Sequence, residues 1–475
     1  MNIFLFNKAL RCYDNTTLIH QVQSEGSVTP IFIFTDQINK SNPYYNSNSI
    51  QFMIESLTEL YNNIKFKYKG ELYFFKSDDF IKVFIDILKT SPINSIGTNF
   101  DYSPYAKMRQ IKLRDFCNDN NIKFYIKEDH LLYNILDGKT LKSNGSPYII
   151  FTPFKNYCLQ NLKTTSVSKF NNIIKFTNEN TLLDNIYYLK IIDIKHFYTP
   201  NENISVKGSR IEALKILKQS KKYNDYTLCR NFLMYNTTQL GAYNHFGLVS
   251  IREVYKAFKN NSTFIEQLIW RDFYYNIFYY FPFMLEGQIN KINKPFKRQF
   301  RHIKWNTDEQ LFSKWCNGLL GIPISDAGMR QLNKTGFMHN RLRMITAAIL
   351  TKVLLIPWQW GEKYFAQKLT DYDCIQNGGG WAWTCHGIDP RQPYRNFSPK
   401  LQGEKYDKNA EFIKTYIPEL LSVPAKDIHN WQVTFVKYKN IKYPEPQFDY
   451  NSYKSNACKE YLRVKKYSVA KNLED

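Results

Sequence analysis

Short apolar runs recur through the first third of the chain, separated by stretches in which apolar residues return every three or four positions. Ile3–Phe6, Ile31–Phe34, Leu72–Phe75, Ile93–Gly97 and Ile122–Ile126 read as strands, and the stretches near 49–62, 78–89 and 104–118 as helices. That alternation predicts an α/β domain over residues 1–135 with a parallel five-stranded sheet, because parallel neighbours are reached only through crossovers. The domain has no Gly-x-Gly-x-x-Gly and no Walker loop, so a ligand there would be held without the common phosphate fingerprints. From 136 to 205 the pattern loosens into Asn/Ser/Thr-rich sequence broken by apolar patches, which reads as a linker lying over both flanking parts. After Gly208 helical periodicity takes over, beginning with Ile211, Leu214, Ile216 and Leu217, and strand-like alternation nearly vanishes. An all-α domain over 206–475 is expected, ending after Pro444 in a basic surface helix with a frayed tail.

Composition adds a partner to this outline. Lys and Arg number 64 against 42 Asp and Glu, a formal net charge of +22, which attracts polyanions and makes nucleic acid the first partner to suspect. Part of the lysine excess follows the abundance of Asn, Ile and Tyr, the residues of A/T-rich codons. The cysteines at 12, 117, 158, 229, 316, 374, 385 and 458 form no Cys-x-x-Cys and no Cys/His cluster, so neither a metal site nor a disulfide framework is expected. No signal peptide is visible, and the most apolar later stretches, near Ile277–Leu285 and Ile349–Pro357, are too short to span a bilayer. A soluble intracellular monomer is expected. All the tryptophans (270, 305, 315, 358, 360, 381, 383 and 431) lie in the second half, an odd segregation for core filler alone.

Chemistry concentrates in that half. Residues 371–383 place Asp371, Asp373, Asn377, three glycines, Trp381 and Trp383 in one short stretch, while Asn340, Arg341 and Arg343 supply an amide and two guanidiniums upstream. Together they suit a polar, aromatic ligand; singly they fit a buried Asp371–Arg343 pair beside a glycine-rich turn. Thr237, Thr238, Gln239, Leu240 and Gly241 precede a helical segment and suit either a phosphate or an ordinary N-cap. Gln267, Trp270, Arg271 and Tyr274 recur at i, i+3, i+4 and i+7, so one helix face carries an amide, an indole, a guanidinium and a phenol. Such a face could stack on a base and hydrogen-bond its edge, or could serve amphipathic packing.

The order of these segments, joined by 326–332 (Asp-Ala-Gly-Met-Arg-Gln-Leu), 336–344 (Gly-Phe-Met-His-Asn-Arg-Leu-Arg-Met) and 360–365 (Trp-Gly-Glu-Lys-Tyr-Phe), closely resembles the DNA photolyase/cryptochrome family. Leu10-Arg11, Asp14-Asn15, Phe151-Thr152-Pro153-Phe154 and the segment 416–420 extend the resemblance over nearly the whole chain. It implies a Rossmann-like first domain and a helical FAD-binding second one. By that resemblance Tyr226 and 237–241 hold the cofactor's phosphates, Arg271 and Asn340 lie along it, Asp371, Tyr372 and Asp373 face its ribose and ring, and Asn377 stands opposite flavin N5. Trp381, Trp358 and Trp305 match the family's electron-carrying chain, and Trp270 and Trp383 the pair that wedges a flipped-out pyrimidine dimer.

Lesion choice rests on Asn340 and Met344, which occupy positions where (6-4) photolyases carry two histidines. The motifs are closest to class I-type cyclobutane pyrimidine dimer photolyases, whose substrate is UV-damaged DNA. Gln267 stands where many of those enzymes have Glu, Phe337 where Trp is usual and Gln239 where a basic residue is frequent; the resemblance places Tyr274 and Arg341 on the DNA side with Gln267. An antenna chromophore, folate or deazaflavin, is implied for the first domain, near the segment 99–105. Two other readings stay open: a cryptochrome-like flavin photoreceptor without repair, and a (6-4) photolyase.

Overall fold

The computed structural model describes residues 1–282, 302–385, 388, 394 and 396–470. The apolar stretch near Ile277–Leu285 therefore runs partly outside the described residues, as does the end of the basic tail, 471–475. Strands β1 (Asn2–Phe6), β2 (Thr29–Phe34), β3 (Tyr73–Lys76), β4 (Ser95–Asn99) and β5 (Lys123–Lys127) match the predicted runs apart from small shifts at their ends. They lie in the order β5-β4-β1-β2-β3, all parallel. The sheet has a sixth strand, which corrects the five-stranded, wholly parallel expectation. β6 (Tyr188–Leu189) comes from the segment expected as a linker and pairs antiparallel with β3 through Phe74↔Leu189 and Phe75↔Tyr188. Two residues are too few to show a period, so the strand left no pattern in the sequence.

Alternate side chains of the inner strands feed two cores. Ile3, Leu5, Ile31 and Ile33 enter the core shared with α3 (Ile81–Thr90) and α4 (Pro104–Asp119); Phe4, Phe6, Phe32 and Phe34 enter the one shared with α1 (Thr16–Glu25) and α2 (Ser47–Tyr68). Two-sided burial of this kind is why the strands read as continuous apolar runs. The segment 136–205 also carries α5 (Phe151–Asn161), which buries Phe151, Phe154 and Cys158.

Among the described residues no strand follows β6, as expected for the second half. Its helices are α6 (Arg210–Lys218), α7 (Tyr226–Cys229), α8 (Gly241–His245), α9 (Ile251–Phe258), α10 (Ser262–Tyr280), α11 (Glu309–Asn317), α12 (Pro323–Thr335), α13 (Asn340–Lys352), α14 (Trp358–Lys368) and α15 (Cys374–Cys385), then shorter segments and a last helix over Tyr450–Ala470. α13 is central: every residue from Ile345 to Lys352 is buried.

A buried charge cluster docks the two halves. Arg252 on α9 reaches Asp14 Oδ2 and Asp129 Oδ1, each at 2.7 Å, while Arg11 pairs with Asp129 and donates to the Gly247 carbonyl at 2.9 Å. Gly247 has φ 63°, and a Cβ there would come within 2.6 Å of the Ala9 backbone, so glycine is required for this approach.

Candidate active site

α10 begins at Asn261, whose side chain accepts from the Phe264 amide, and turns Leu268, Ile269, Asp272 and Phe273 into the core. The opposite face leaves Gln267, Trp270, Arg271 and Tyr274 half-buried, and all four line one cavity of about 550 Å³. The i, i+3, i+4, i+7 spacing therefore places all four on one wall of the same cavity. Asn340, Arg341 and Met344 border the cavity from the first turns of α13; Asp371, Tyr372, Asp373, Asn377, Trp381 and Trp383 border it from α15 and the turn before it, and Gly241 from α8.

Arg343 Nη2 lies 3.0 and 3.1 Å from the two Asp371 oxygens. The pair is 26% and 20% exposed, so it opens onto the cavity rather than lying fully buried. Gly241 makes room for it, since a Cβ would come within 2.6 Å of Asp371 Oδ2. Asn377 Nδ2 donates to the Glu362 carbonyl at 3.1 Å and to Glu362 Oε1 at 2.9 Å. Both partners are acceptors, so nitrogen must occupy that side and Oδ1 is left as the free polar atom of the amide. Burial raises the Glu362 carboxyl pKa, against hydrogen bonds from Asn377, Tyr44 and Tyr372.

Asp373 anchors a deeper network. Its Oδ2 accepts from Tyr275 Oη at 2.5 Å and lies 3.1 Å from His245 Nδ1; its Oδ1 accepts from the amides of Ile375 and Gln376. Burial alone would raise this carboxyl, but the His245 hydrogen bond and the charge on Lys8 hold it well below the carboxylate range. Tyr275 Oη is also 2.7 Å from His130 Nε2. Burial, with Arg271 and Lys8 nearby, pushes His130 far below its usual pKa, so it is neutral and can accept from Arg271. Arg271 further donates to the His130 carbonyl at 2.7 Å. Arg271 is thereby clamped at the cavity edge, its guanidinium 5.2 Å from the Tyr275 ring. Glu362, His245, Tyr275 and His130 were not among the expected site residues. Glu362 stood inside the quoted 360–365 motif without a role, and no spacing links His130 to Tyr275.

Trp381 borders the cavity at 2% exposure, its ring T-shaped to Phe365 at 5.1 Å. Gly361 permits this, because a Cβ there would come within 2.2 Å of the Trp381 ring. Trp358, 8% exposed, starts α14, and Trp305 is half-buried, so the three belong to one core with exposure rising from Trp381 through Trp358 to Trp305. The segment expected to hold the cofactor's phosphates lies beside this cavity and meets it at Gly241. Thr237, Thr238, Gln239 and Leu240 lie off the cavity lining, and α8 is a single turn whose N-cap Leu240 makes no side-chain capping hydrogen bond. Tyr226 packs its ring T-shaped on Phe264 at 5.6 Å, also off the lining.

A second cavity of about 690 Å³ opens at the C-terminal ends of β1 and β2 and the start of α4, where the strand order reverses between β1 and β4. Asp101, Ser103, Pro104 and Tyr105 of the expected antenna segment line it, with Lys8, Arg109, Trp358 and Glu362. It shares Tyr372, Asp373 and His245 with the first cavity, so these side chains form the wall between them. Among the described residues there is no acidic, His or Cys group able to hold a metal ion, and no helix is long and apolar enough to cross a membrane.

The first cavity suits FAD by its own chemistry. Its volume lies in the range of cofactor sites, its walls mix indoles and phenols with amides and charges, and nothing stands within 4 Å of where a Gly380 Cβ would project. Asn244 Oδ1, buried and on the same wall, accepts no hydrogen bond from the described residues and so awaits a donor. Residues 264–463 match the family model for the FAD binding domain of DNA photolyase, and residues 2–171 match that for DNA photolyase. A deoxyribodipyrimidine photo-lyase from Alkalihalophilus pseudofirmus is 31% identical over 95% of this chain and 96% of its own length. A solved archaeal photolyase from Sulfolobus tokodaii, crystallised with two FAD molecules, is 31% identical with a TM-score of 0.84, covering 98% of this chain and 100% of its own. A class III photolyase from Agrobacterium tumefaciens follows at 27% identity and a TM-score of 0.81, covering 98% and 97%. Likeness of this extent runs through both halves and through the cavity-bearing helices alike: the chain belongs to the DNA photolyase/cryptochrome family.

Proposed function

We propose that this protein uses light to repair cyclobutane pyrimidine dimers in DNA, with FAD in the first cavity, and that within the family it is of class I type. One observation carries the reading: Trp270, Trp383, Gln267, Asn340 and Met344 face the same cavity as the acidic and amide residues of 371–377 and Trp381. FAD held in this cavity would supply light-driven one-electron chemistry with no net redox change, by which the two carbon–carbon bonds joining the pyrimidines would be broken.

This chain's residues do the rest. Trp270 and Trp383 offer flat faces to an extruded dimer, which is already poorly stacked and so costs less to flip than sound bases. Gln267 offers an amide acceptor and donor to the pyrimidine edge. Asn377 presents Oδ1, an acceptor suited to a protonated ring nitrogen. Trp381, Trp358 and Trp305 form the route by which electrons enter from solvent. Arg230 and Arg341 at the cavity, and the basic surface, take the phosphates.

Cyclobutane over (6-4) chemistry is supported by the α13 wall. Asn340 and Met344 sit one turn apart, Asn340 Nδ2 3.8 Å from Met344 Sδ, so those positions hold no acid–base pair. The neighbouring His339 is no substitute: it is 3% exposed, caps α13 through Nδ1 and is pushed down to about 4 by burial, hence neutral and turned inward. The second cavity is the site for an antenna chromophore, and the protein acts as a monomer on UV-damaged DNA. The test is purified protein under blue light with separate oligonucleotides carrying each lesion. Restoration of the cyclobutane dimer is expected, with binding that weakens steeply as salt rises; repair of the (6-4) product alone would overturn the lesion assignment, and repair of neither would favour a photoreceptor.

A further inference from the structure

Trp270 is backed by a residue of the segment that joins the two halves. The ring of Phe151, first residue of α5, lies on the indole with 3.6 Å between centroids and 11° between planes. Contact at that spacing covers one whole side of the indole, and Phe151 itself is 4% exposed. Phe273, at 5.7 Å and 84°, and Tyr274, at 5.7 Å and 42°, close on it from within α10. The part of Trp270 that borders the cavity is therefore its other face. A second contact holds α5 on α10 beside this stack: Lys155 Nζ is 5.9 Å from the Phe151 centroid and 3.6 Å from Glu266 Oε2, next to Gln267. The second phenylalanine of the Phe-Thr-Pro-Phe motif, Phe154, is 0% exposed and packs on Phe273 instead, so of the two it is Phe151 that stacks on the indole.

We propose that Phe151 is a positioning residue for lesion recognition, fixing the plane of Trp270 so that a flipped pyrimidine dimer meets a preset stacking face. Stacked rings tolerate lateral offset but lose overlap when one plane tilts. An indole free to tilt would also have to give up that freedom on binding, which weakens affinity without removing a contact. Leucine at 151 would fill much of the volume and supply no plane; tyrosine would supply the plane.

The inference rests on Trp270 being the dimer platform, and the experiment separates the two. The full-length FAD-bound protein is assayed in the dark for binding to dimer-containing and undamaged oligonucleotides, and under light for repair. Phe151→Leu should raise the Kd for dimer DNA by about fivefold to tenfold, less than loss of the platform itself. Its Kd for undamaged DNA should be unchanged, its KM for repair raised in step, and its kcat at saturation kept; Phe151→Tyr should restore the dimer preference. Phe151→Met serves where the leucine variant does not fold. Equal loss of affinity for damaged and undamaged DNA, no loss at all, or failure of tyrosine to rescue would overturn the inference. If Trp270→Ala also keeps its dimer preference, the platform reading fails with it; if Trp270→Ala loses the preference and Phe151→Leu keeps it, only the role of Phe151 fails.

Discussion

Replacing Glu362 with leucine should release the amide that offers an acceptor to the cavity. Asn377 Nδ2 spends both its hydrogens on Glu362, one on the backbone carbonyl at 3.1 Å and one on Oε1 at 2.9 Å. The carboxylate bond is charge-assisted and is worth about 1.5–3 kcal/mol, the carbonyl bond about 0.5–1.5 kcal/mol. Glu362→Leu removes the larger contribution, so the preference for Oδ1 toward the cavity falls by roughly tenfold to a hundredfold. With only the carbonyl bond left to hold it, the amide would present NH₂ to the cavity far more often than before, and in that orientation would favour an unprotonated ring nitrogen, which belongs to oxidised flavin. The assay is to photoreduce the FAD-bound protein without oxygen, admit air in the dark, and follow the return of the oxidised flavin's blue absorption. The leucine variant should reoxidise about tenfold faster or more. Glu362→Gln, which keeps an acceptor at Oε1, should stay near the wild-type rate. A leucine variant with full FAD content and wild-type reoxidation would refute the claim that Glu362 sets the orientation of Asn377.

Trp305→Phe should slow photoreduction of oxidised flavin while leaving repair by pre-reduced enzyme nearly intact; an equal fall in both rates would make Trp305 structural. Asp371→Ala should lower FAD content in the purified protein, at a cost of about 1.5–3 kcal/mol for the lost charged hydrogen bonds rather than that of a fully buried orphan, because the pair opens on the cavity; unchanged flavin stoichiometry would speak against it. Asp272 should impose a pH slope on stability. Burial pushes its carboxyl up to about 8, against the pull of Arg271 and the Tyr133 amide, so between about pH 4 and pH 8 the folded state keeps a proton that the unfolded chain has lost. Stability from this group is greatest at the acid end and declines as pH rises, with Glu128, at about 7, and Asp326, at about 6, acting in the same direction. Asp272→Asn should flatten the fall of the thermal midpoint between about pH 5 and pH 8, and an unchanged slope would place the titration elsewhere.

Strands β1, β2 and β3 were legible because each presents apolar side chains to two cores, leaving an unbroken run such as 31–34. β6 was not, because two residues at a sheet edge carry no period. The α10 face was legible for the opposite reason: Gln267, Trp270, Arg271 and Tyr274 differ sharply in chemistry from the buried residues between them, and a spacing of three and four converts that contrast directly into a side of a helix. The segment 237–241 was less legible, because small hydroxyl residues suit both a phosphate and an ordinary cap, and α8 ends at His245 after a single turn. His130, Tyr275 and His245 could not have been found by spacing. His245 and Tyr275 meet at Asp373 through packing between distant helices, and His130 joins them through Tyr275 because the α/β half docks on the helical half, relations invisible to any window along the chain.

That docking bears on function. Arg11, Asp14, Asp129 and Arg252 are buried at the junction, with side-chain exposures between 1% and 7%. Burial of so many charges is expensive, and apolar residues of similar volume would commonly hold two halves together at least as firmly. What charges add is register: a guanidinium fork satisfied by two carboxylates at 2.7 Å accepts one arrangement, whereas an apolar face tolerates sliding. The wall between the two cavities comes from the helical half, but the charge on Asp373 within it is held in part by Lys8, which follows β1 in the other half. A slide at the junction would therefore disturb the Asp373 network and the spacing of the cavities together. We read the charge cluster as the device that keeps the two cavities at one separation, and the stability forgone in burying it as the cost of that fixed geometry.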